Sequence, residues 1–277
     1  MSQTTGARAD ALGHIVLVGA GNMGGAMLRR WPDGARITVV DPSPSEEIVA
    51  HLRERGAALR GGAEDAEPAG LLVVAIKPQL MEVVLPTLRG LVEADTTVVS
   101  IAAGTTVATL AEALGTERVV RTIPNTPAMV GQGVTGAFAA AAVDGAARER
   151  VGTLLGCSGE VVWVEREEDI DRVTAVSGSG PAYVFHLVEA VADAARGVGL
   201  DGESADRLAR QTVIGASALL AASEEDPARL RERVTSKGGT TAAALRVLMD
   251  EKGGLTELMG RAVGAAHNRA VELGRGE

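Results

Sequence analysis

Short apolar runs recur through the first half of the chain, and stretches with helical spacing separate them. His14–Gly19 (HIVLVG) predicts a strand buried on both faces, because its apolar residues run continuously rather than alternating. Gly21–Arg30 then predicts a helix. Ile37–Val40 predicts a second strand, closed by Asp41-Pro42, and Ser45–Gly56 a polar helix. Leu71–Ile76 (LLVVAI) is a strand stopped by Lys77-Pro78, and Gln79–Leu91 is helical with a proline interruption. Thr96–Ile101 and Arg118–Ile123 read as strands on either side of a helix at Val107–Leu114. Two further strand-like runs lie near Val134–Ala140 and Val161–Val164. This alternation predicts an α/β domain with a doubly wound parallel sheet.

The texture changes near Glu165. Pro181–Gly199, Glu203–Ala222, Pro227–Val234, Thr240–Asp250 and Gly254–Leu273 all read as helices, punctuated by glycines. The predicted organisation is a flexible tail over 1–13, an α/β domain over 14–165 and a helical domain over 166–277. Pro181–Arg196 is apolar around most of its circumference, so it must be buried in its own domain or against a second subunit.

Composition narrows the class. Aromatic residues are only 2% against 46% hydrophobic residues overall, so Ala, Val, Leu and Ile must build the core. A net charge of −9 argues against nucleic acid and anionic membranes as partners. No apolar run approaches the length of a membrane span. Cys157 is the only cysteine, so no intrachain disulfide forms and a cytoplasmic setting is expected. The N-terminal MSQTTGARADALG has no apolar signal core. Lysine is scarce: Lys77, Lys237 and Lys252 stand against 24 arginines.

Gly19-Ala20-Gly21-Asn22-Met23-Gly24 fits G-x-G-x-x-G directly after the first strand and at a helix start, the setting in which the motif holds a dinucleotide. Gly19 permits the tight turn, Gly21 admits the pyrophosphate and Gly24 allows helix and strand to approach. Asp41 lies 17 residues on, where a carboxylate favours the ribose of NAD. Ser43 and Ser45 also offer hydroxyls suited to a 2′-phosphate, so the residues leave NAD and NADP both open. Ala75, Lys77 and Pro78, Ala103 within Ser100–Gly104, and Asn125 between Pro124 and Pro127 end later strands at the same sheet edge. That edge is where cofactors bind in such sheets.

Near the other end, Val234–Leu245 (VTSKGGTTAAAL) joins a hydroxyl-flanked glycine pair to a helix start. Unpaired N–H groups and the positive end of the helix dipole favour an anion there. An ordinary helix cap reads the same way.

The chain resembles the pyrroline-5-carboxylate reductases. Gly19–Gly24 (GAGNMG), Ala75–Gln79 (AIKPQ), Arg121–Pro127 (RTIPNTP), and Ser177–Phe185 (SGSGPAYVF) with Val234–Leu245 carry the likeness, in order and over nearly the whole chain. The resemblance implies a Rossmann-type domain followed by an all-α dimerisation domain. It also implies a homodimer with its active site built between subunits, and further assembly up to a decamer. The implied reaction is hydride transfer to the cyclic imine 1-pyrroline-5-carboxylate, giving proline, with NADPH as the expected cofactor and NADH as the alternative. By position, Ser236, Gly238, Gly239 and Thr240 would hold the substrate carboxylate, and Thr241 would lie near the ring nitrogen. Glu224 would be a polar wall, and Ser177, Gly178 and Ser179 would wrap the substrate's other side. Lys77, Pro78 and Asn125 would sit by the nicotinamide. Lys237 departs from the family pattern, which has proline there.

No metal is implied. His14, His51 and His267 lack the company of a catalytic base, and His186 lies near the Ser-Gly-Pro motif. A β-hydroxyacid dehydrogenase would need a lysine on the first long helix of the second domain, and Pro181–Arg196 has none. An imine reductase for other rings and a nucleotide-binding protein without turnover are the remaining rivals.

Overall fold

The computed structural model describes Ala9 and residues 11–275. An eight-stranded sheet is ordered β3-β2-β1-β4-β5-β6-β7-β8. Its strands are β1 (His14–Val18), β2 (Arg36–Val40), β3 (Ala58–Arg60), β4 (Leu71–Val74), β5 (Thr97–Ser100), β6 (Val119–Ile123), β7 (Gly133–Ala139) and β8 (Gly159–Trp163). The helices of this part are α1 (Asn22–Leu28), α2 (Glu46–Arg55), the single turn α3 (Met81–Val84), α4 (Val107–Leu114), α5 (Gly145–Gly156) and α6 (Asp169–Val173).

Continuous apolar strands have the expected cause. Ile15 and Leu17 of β1, with Leu71 and Val73 of β4, join a core that holds Met27, Leu28, Ile48, Leu52, Val151 and Leu154 from α1, α2 and α5. Their alternates Val16, Val18, Leu72 and Val74 join a second core with Leu85, Leu88, Leu110 and Leu114. Both of these strands are therefore sandwiched between layers, so neither of their faces is polar. Side-chain caps start α2, α4 and α5. Ser45 Oγ accepts from Ile48 N at 3.3 Å, Thr106 Oγ1 from Thr109 N at 3.1 Å, and Asp144 Oδ1 from Ala147 N at 2.8 Å.

Several expectations change. The sheet is not wholly parallel, because β7 runs antiparallel to β6, with β8 parallel to β7. The loop from Pro124 to Gln132 is too short for a crossover helix, so the chain reverses. The strand β3 and helix α5 were not predicted. The former is only three residues long, and the latter carries Gly145, Gly152 and Gly156. The stretch 78–91 is mostly 3₁₀ turns around α3 rather than one helix. Of the expected flexible tail, residues 1–8 and 10 lie outside the described residues. Leu12, however, is fully buried in the core.

The chain divides into two compact units, one of residues 1–179 with 266–277 and the other of residues 180–265. The division falls at Ser179, beyond the expected 165, because α6 and the turn after it attach to the sheet. The second unit contains α7 (from Gly180 to Gly197), α8 (Gly202–Ala221), α9 (Pro227–Arg233), α10 (Thr240–Leu248) and the start of α11 (Leu255–Gly274). Its buried hydrophobic residues are three alanines, Ala192, Ala205 and Ala209. The expected burial of Pro181–Arg196 is thus not met within one chain: Phe185 is 64% exposed.

Candidate active site

Parallel strands bring their carboxyl ends to one edge of the sheet. The glycine loop after β1 and the Ala75–Pro78 segment after β4 lie side by side there, since β1 pairs with β4. The strand order reverses direction at this pair, the switch point where open α/β sheets bind ligands.

The glycines are needed for reasons the geometry makes explicit. Gly19 has φ +88°, and a Cβ on it would stand 2.7 Å from the Ala75 carbonyl oxygen. A Cβ on Gly24 would stand 2.2 Å from the Gly19 carbonyl oxygen. By contrast, nothing lies within 4 Å of a Cβ built on Gly21, which caps the start of α1 without a side-chain partner. Two glycines close the loop and the third leaves open space before a helix N-terminus. That is the form a dinucleotide pyrophosphate requires. A cavity of about 360 Å³ continues from Ala20, Gly21 and Asn22 past Arg29 to Asp41 and Ser43. Met23, half-buried, packs against the core below.

Asp41 has a role that spacing alone did not reveal. Its Oδ2 accepts from Ala20 N at 2.8 Å and its Oδ1 from Ser43 N at 2.9 Å. The carboxylate ties the β1 loop to the β2 loop. Ser43, Lys77 and Pro78 are exposed at this edge, while Ala75 and Ala103 are half-buried.

Asn125 departs from expectation. It is 8% exposed, and both ends of its amide are engaged within the protein. Oδ1 accepts from Val134 N at 2.9 Å, and Nδ2 donates to Ser177 O at 3.1 Å. It supports Ser177 from the end of β6. Ser177, Gly178 and Ser179 belong to a π-helical turn, Thr174–Gly178, and the residue that closes it.

Sequence reasoning missed the ion-pair cluster beneath that turn. Arg121, buried in β6, donates Nη2 to Asp171 Oδ1 at 2.7 Å and Nη1 to Glu167 Oε1 at 3.4 Å. Glu167 Oε1 also accepts from Val107 N at 2.7 Å, at the start of α4. An arginine inside the apolar run VVRTI was the available signal.

In the second unit, Ser236–Thr241 forms a tight turn into α10. Gly238 has φ +73°, and Gly239 N donates to Ser236 O at 3.0 Å. Gly239 caps the helix with no side-chain hydrogen bond to the cap. Ser236 Oγ stands 2.3 Å from where a Gly239 Cβ would be, so its hydroxyl is folded over the helix start. Backbone N–H groups and a hydroxyl therefore share one small region at the positive end of α10, suited to a carboxylate. Thr240, Lys237 and Glu224 are exposed, and Thr241 is half-buried. Among the described residues, no cluster of His, Cys, Asp and Glu could hold a metal, and no helix is long and apolar enough to cross a membrane.

Residues 167–273 match a family model described as pyrroline-5-carboxylate reductase dimerisation, and residues 14–104 match one described as NADP oxidoreductase, coenzyme F420-dependent. The pyrroline-5-carboxylate reductase of Pseudomonas aeruginosa is 40% identical, over 94% of this chain and 96% of that one. The chain belongs to the pyrroline-5-carboxylate reductase family. The structure of a pyrroline-5-carboxylate reductase from Coxiella burnetii superposes with a TM-score of 0.86 at 36% identity, covering 95% of this chain and 98% of that one. That of the Plasmodium falciparum pyrroline carboxylate reductase, with NADP bound, gives 0.78 at 26% identity and covers 94% and 98%. The chain is an NADP(H)-dependent oxidoreductase with a Rossmann-type domain and a helical dimerisation domain.

Proposed function

We propose that this chain reduces 1-pyrroline-5-carboxylate to proline with NADPH, the last step of proline synthesis. The observation that carries the reading is the 40% identity to the Pseudomonas aeruginosa pyrroline-5-carboxylate reductase across 94% of the chain. NADPH, when bound, supplies the hydride, and the protein supplies binding and orientation. The pyrophosphate is assigned to Gly19–Gly24 and the nicotinamide end to Ala75, Lys77, Pro78 and Ala103.

The substrate carboxylate is assigned to the Ser236–Thr240 turn at the start of α10. Thr241 Oγ1 accepts the hydrogen bond of the protonated ring nitrogen. Ser177–Ser179 and Glu224 are further substrate contacts. A protonated imine is already electrophilic, so the site needs no strong acid. Glycines and hydroxyls suffice, because holding the imine carbon in line with its hydride donor can contribute about 7–11 kcal/mol. The single cysteine supports a reducing, cytoplasmic setting.

The functional unit we infer is at least a homodimer, with higher assemblies built from dimers. Exposed Val184, Phe185 and Ile214 line an apolar groove of about 570 Å³ with Arg210 on the helical unit, and a second copy is the economical cover.

The test is NADPH oxidation by the purified protein on adding pyrroline-5-carboxylate. No substrate-dependent oxidation of NADPH or NADH overturns the reading. Thr241→Ala is expected to lower kcat/KM for the imine about tenfold to a hundredfold, as for a charge-assisted hydrogen bond worth ~1.5–3 kcal/mol, with NADPH affinity unchanged. Lost NADPH affinity with an intact KM for the imine would mean that the turn holds the cofactor instead.

A further inference from the structure

The π-turn at Thr174–Gly178 has a cause in the sequence. In an α-helix the carbonyl of Ser177 would accept from the N–H of residue 181, but residue 181 is proline and has none. A proline ring also crowds the carbonyl four residues back, and widening the preceding turn relieves that crowding. Ser179 N accordingly reaches back to Thr174 O at 2.9 Å, one residue further than an α-helix allows. The orphaned Ser177 carbonyl would be left without its helical donor. Asn125 Nδ2 donates to it at 3.1 Å, while Asn125 Oδ1 is fixed by Val134 N at 2.9 Å. Two side chains of the segment are turned back as well: Thr174 Oγ1 donates to Ile170 O and Ser177 Oγ to Val173 O. Arg121, from the same strand as the Asn125 loop, holds α6 through Asp171.

From this geometry we infer that Asn125 is a positioning residue. It supplies the hydrogen bond that Pro181 removes from Ser177, and so holds the Ser177–Ser179 turn in its π form for the imine substrate. The inference rests on the assignment of Ser177–Ser179 to substrate. In this role Asn125 acts through the Ser177 carbonyl.

Two readouts test it. In Asn125→Ala, kcat/KM for pyrroline-5-carboxylate falls at least tenfold while the Kd of NADPH stays within twofold. An unchanged kcat/KM in the folded variant, or an equal loss of NADPH affinity, overturns the inference. The second readout is hydrogen exchange at the Ser179 amide, which needs no turnover. Asn125→Ala speeds it at least tenfold in the natural background. In Pro181→Ala, residue 181 regains an N–H for the Ser177 carbonyl, and removing Asn125 then speeds exchange less than threefold. Equal acceleration in both backgrounds overturns the inference. Should Asn125→Ala fail to fold, Asn125→Asp removes the donor and retains the acceptor for Val134 N, with the same results expected. If the natural protein shows no activity on the imine but the exchange coupling is present, the functional assignment fails and the Asn125–Ser177 tie stands.

Discussion

Replacing Gly24 by alanine tests whether close packing of the glycine loop governs both stability and cofactor binding. The new Cβ would stand 2.2 Å from the Gly19 carbonyl oxygen and 3.0 Å from Ala75 Cβ. Ordinary contact begins near 3.4 Å, so the carbonyl must retreat by roughly an ångström. It has little room to do so. Gly19 N is bonded to Val40 O at 2.9 Å, and the space beside Gly19 is filled by the Ala75 carbonyl. Overpacking of this kind costs ~1–3 kcal/mol, and alanine's better helix propensity returns up to about 1 kcal/mol. A net loss of ~1–2 kcal/mol lowers Tm by about 2–8 °C in a chain of this size. Moving the loop by an ångström also misplaces the N–H groups before α1, so the Kd of NADPH rises at least tenfold. Gly21→Ala is the matched comparison. Its Cβ meets no protein atom, so stability changes by less than ~1 kcal/mol while NADPH affinity still falls. Thermal melting and fluorescence titration with NADPH measure both quantities. An unchanged Tm and Kd in Gly24→Ala refute the crowding argument. NADPH binding at natural affinity in Gly21→Ala refutes the placement of the pyrophosphate.

Asp41→Ala removes the acceptor of Ala20 N and Ser43 N, and is expected to weaken NADPH and NADH alike. Selective loss of NADH in competition kinetics would instead mean a direct ribose contact. His14 is held between Thr38 Oγ1 and the Pro68 carbonyl, and burial, with help from Arg36, lowers its pKa below the usual value near 6.5. The unfolded chain then binds the proton first. The stabilisation is complete above about pH 6.5 and is lost as pH falls from there through the folded-state pKa. Between pH 8 and 5, Tm should therefore fall further in the natural protein than in His14→Gln; parallel profiles would contradict this. Phe185→Glu, on the exposed apolar face of α7, should shift the assembly to smaller species in light scattering, and an unchanged mass would place the interface elsewhere.

Much of the fold was readable locally. Continuous apolar runs such as LLVVAI show a strand covered on both faces, and the helices expected from Ser45 and from Val107 form where their spacing placed them. The turn VTSKGGTT likewise showed features suited to an anion, because backbone N–H groups, hydroxyls and glycines reside in one segment. The antiparallel β7 was not readable. A strand's direction depends on where the chain lies after the preceding loop, and its pattern of apolar residues is the same either way.

The sequence by itself carried the motifs on which the proposed functions rest: a glycine loop suited to a pyrophosphate, a glycine turn at a helix start suited to a carboxylate, and the likeness to the family. Those functions reside in the backbone of short contiguous segments, whose conformations their own glycines dictate. Tertiary structure alone decided what the polar side chains do. Asp41, expected at the ribose, ties two loops together, and Asn125, expected at the nicotinamide, donates to the Ser177 carbonyl. Arg121 opens the block RTIPNTP but had no role in the sequence, yet it anchors the helix before the π-turn. A side chain's hydrogen-bond partners come from distant strands brought near by folding, and its own neighbours in the chain carry no record of them.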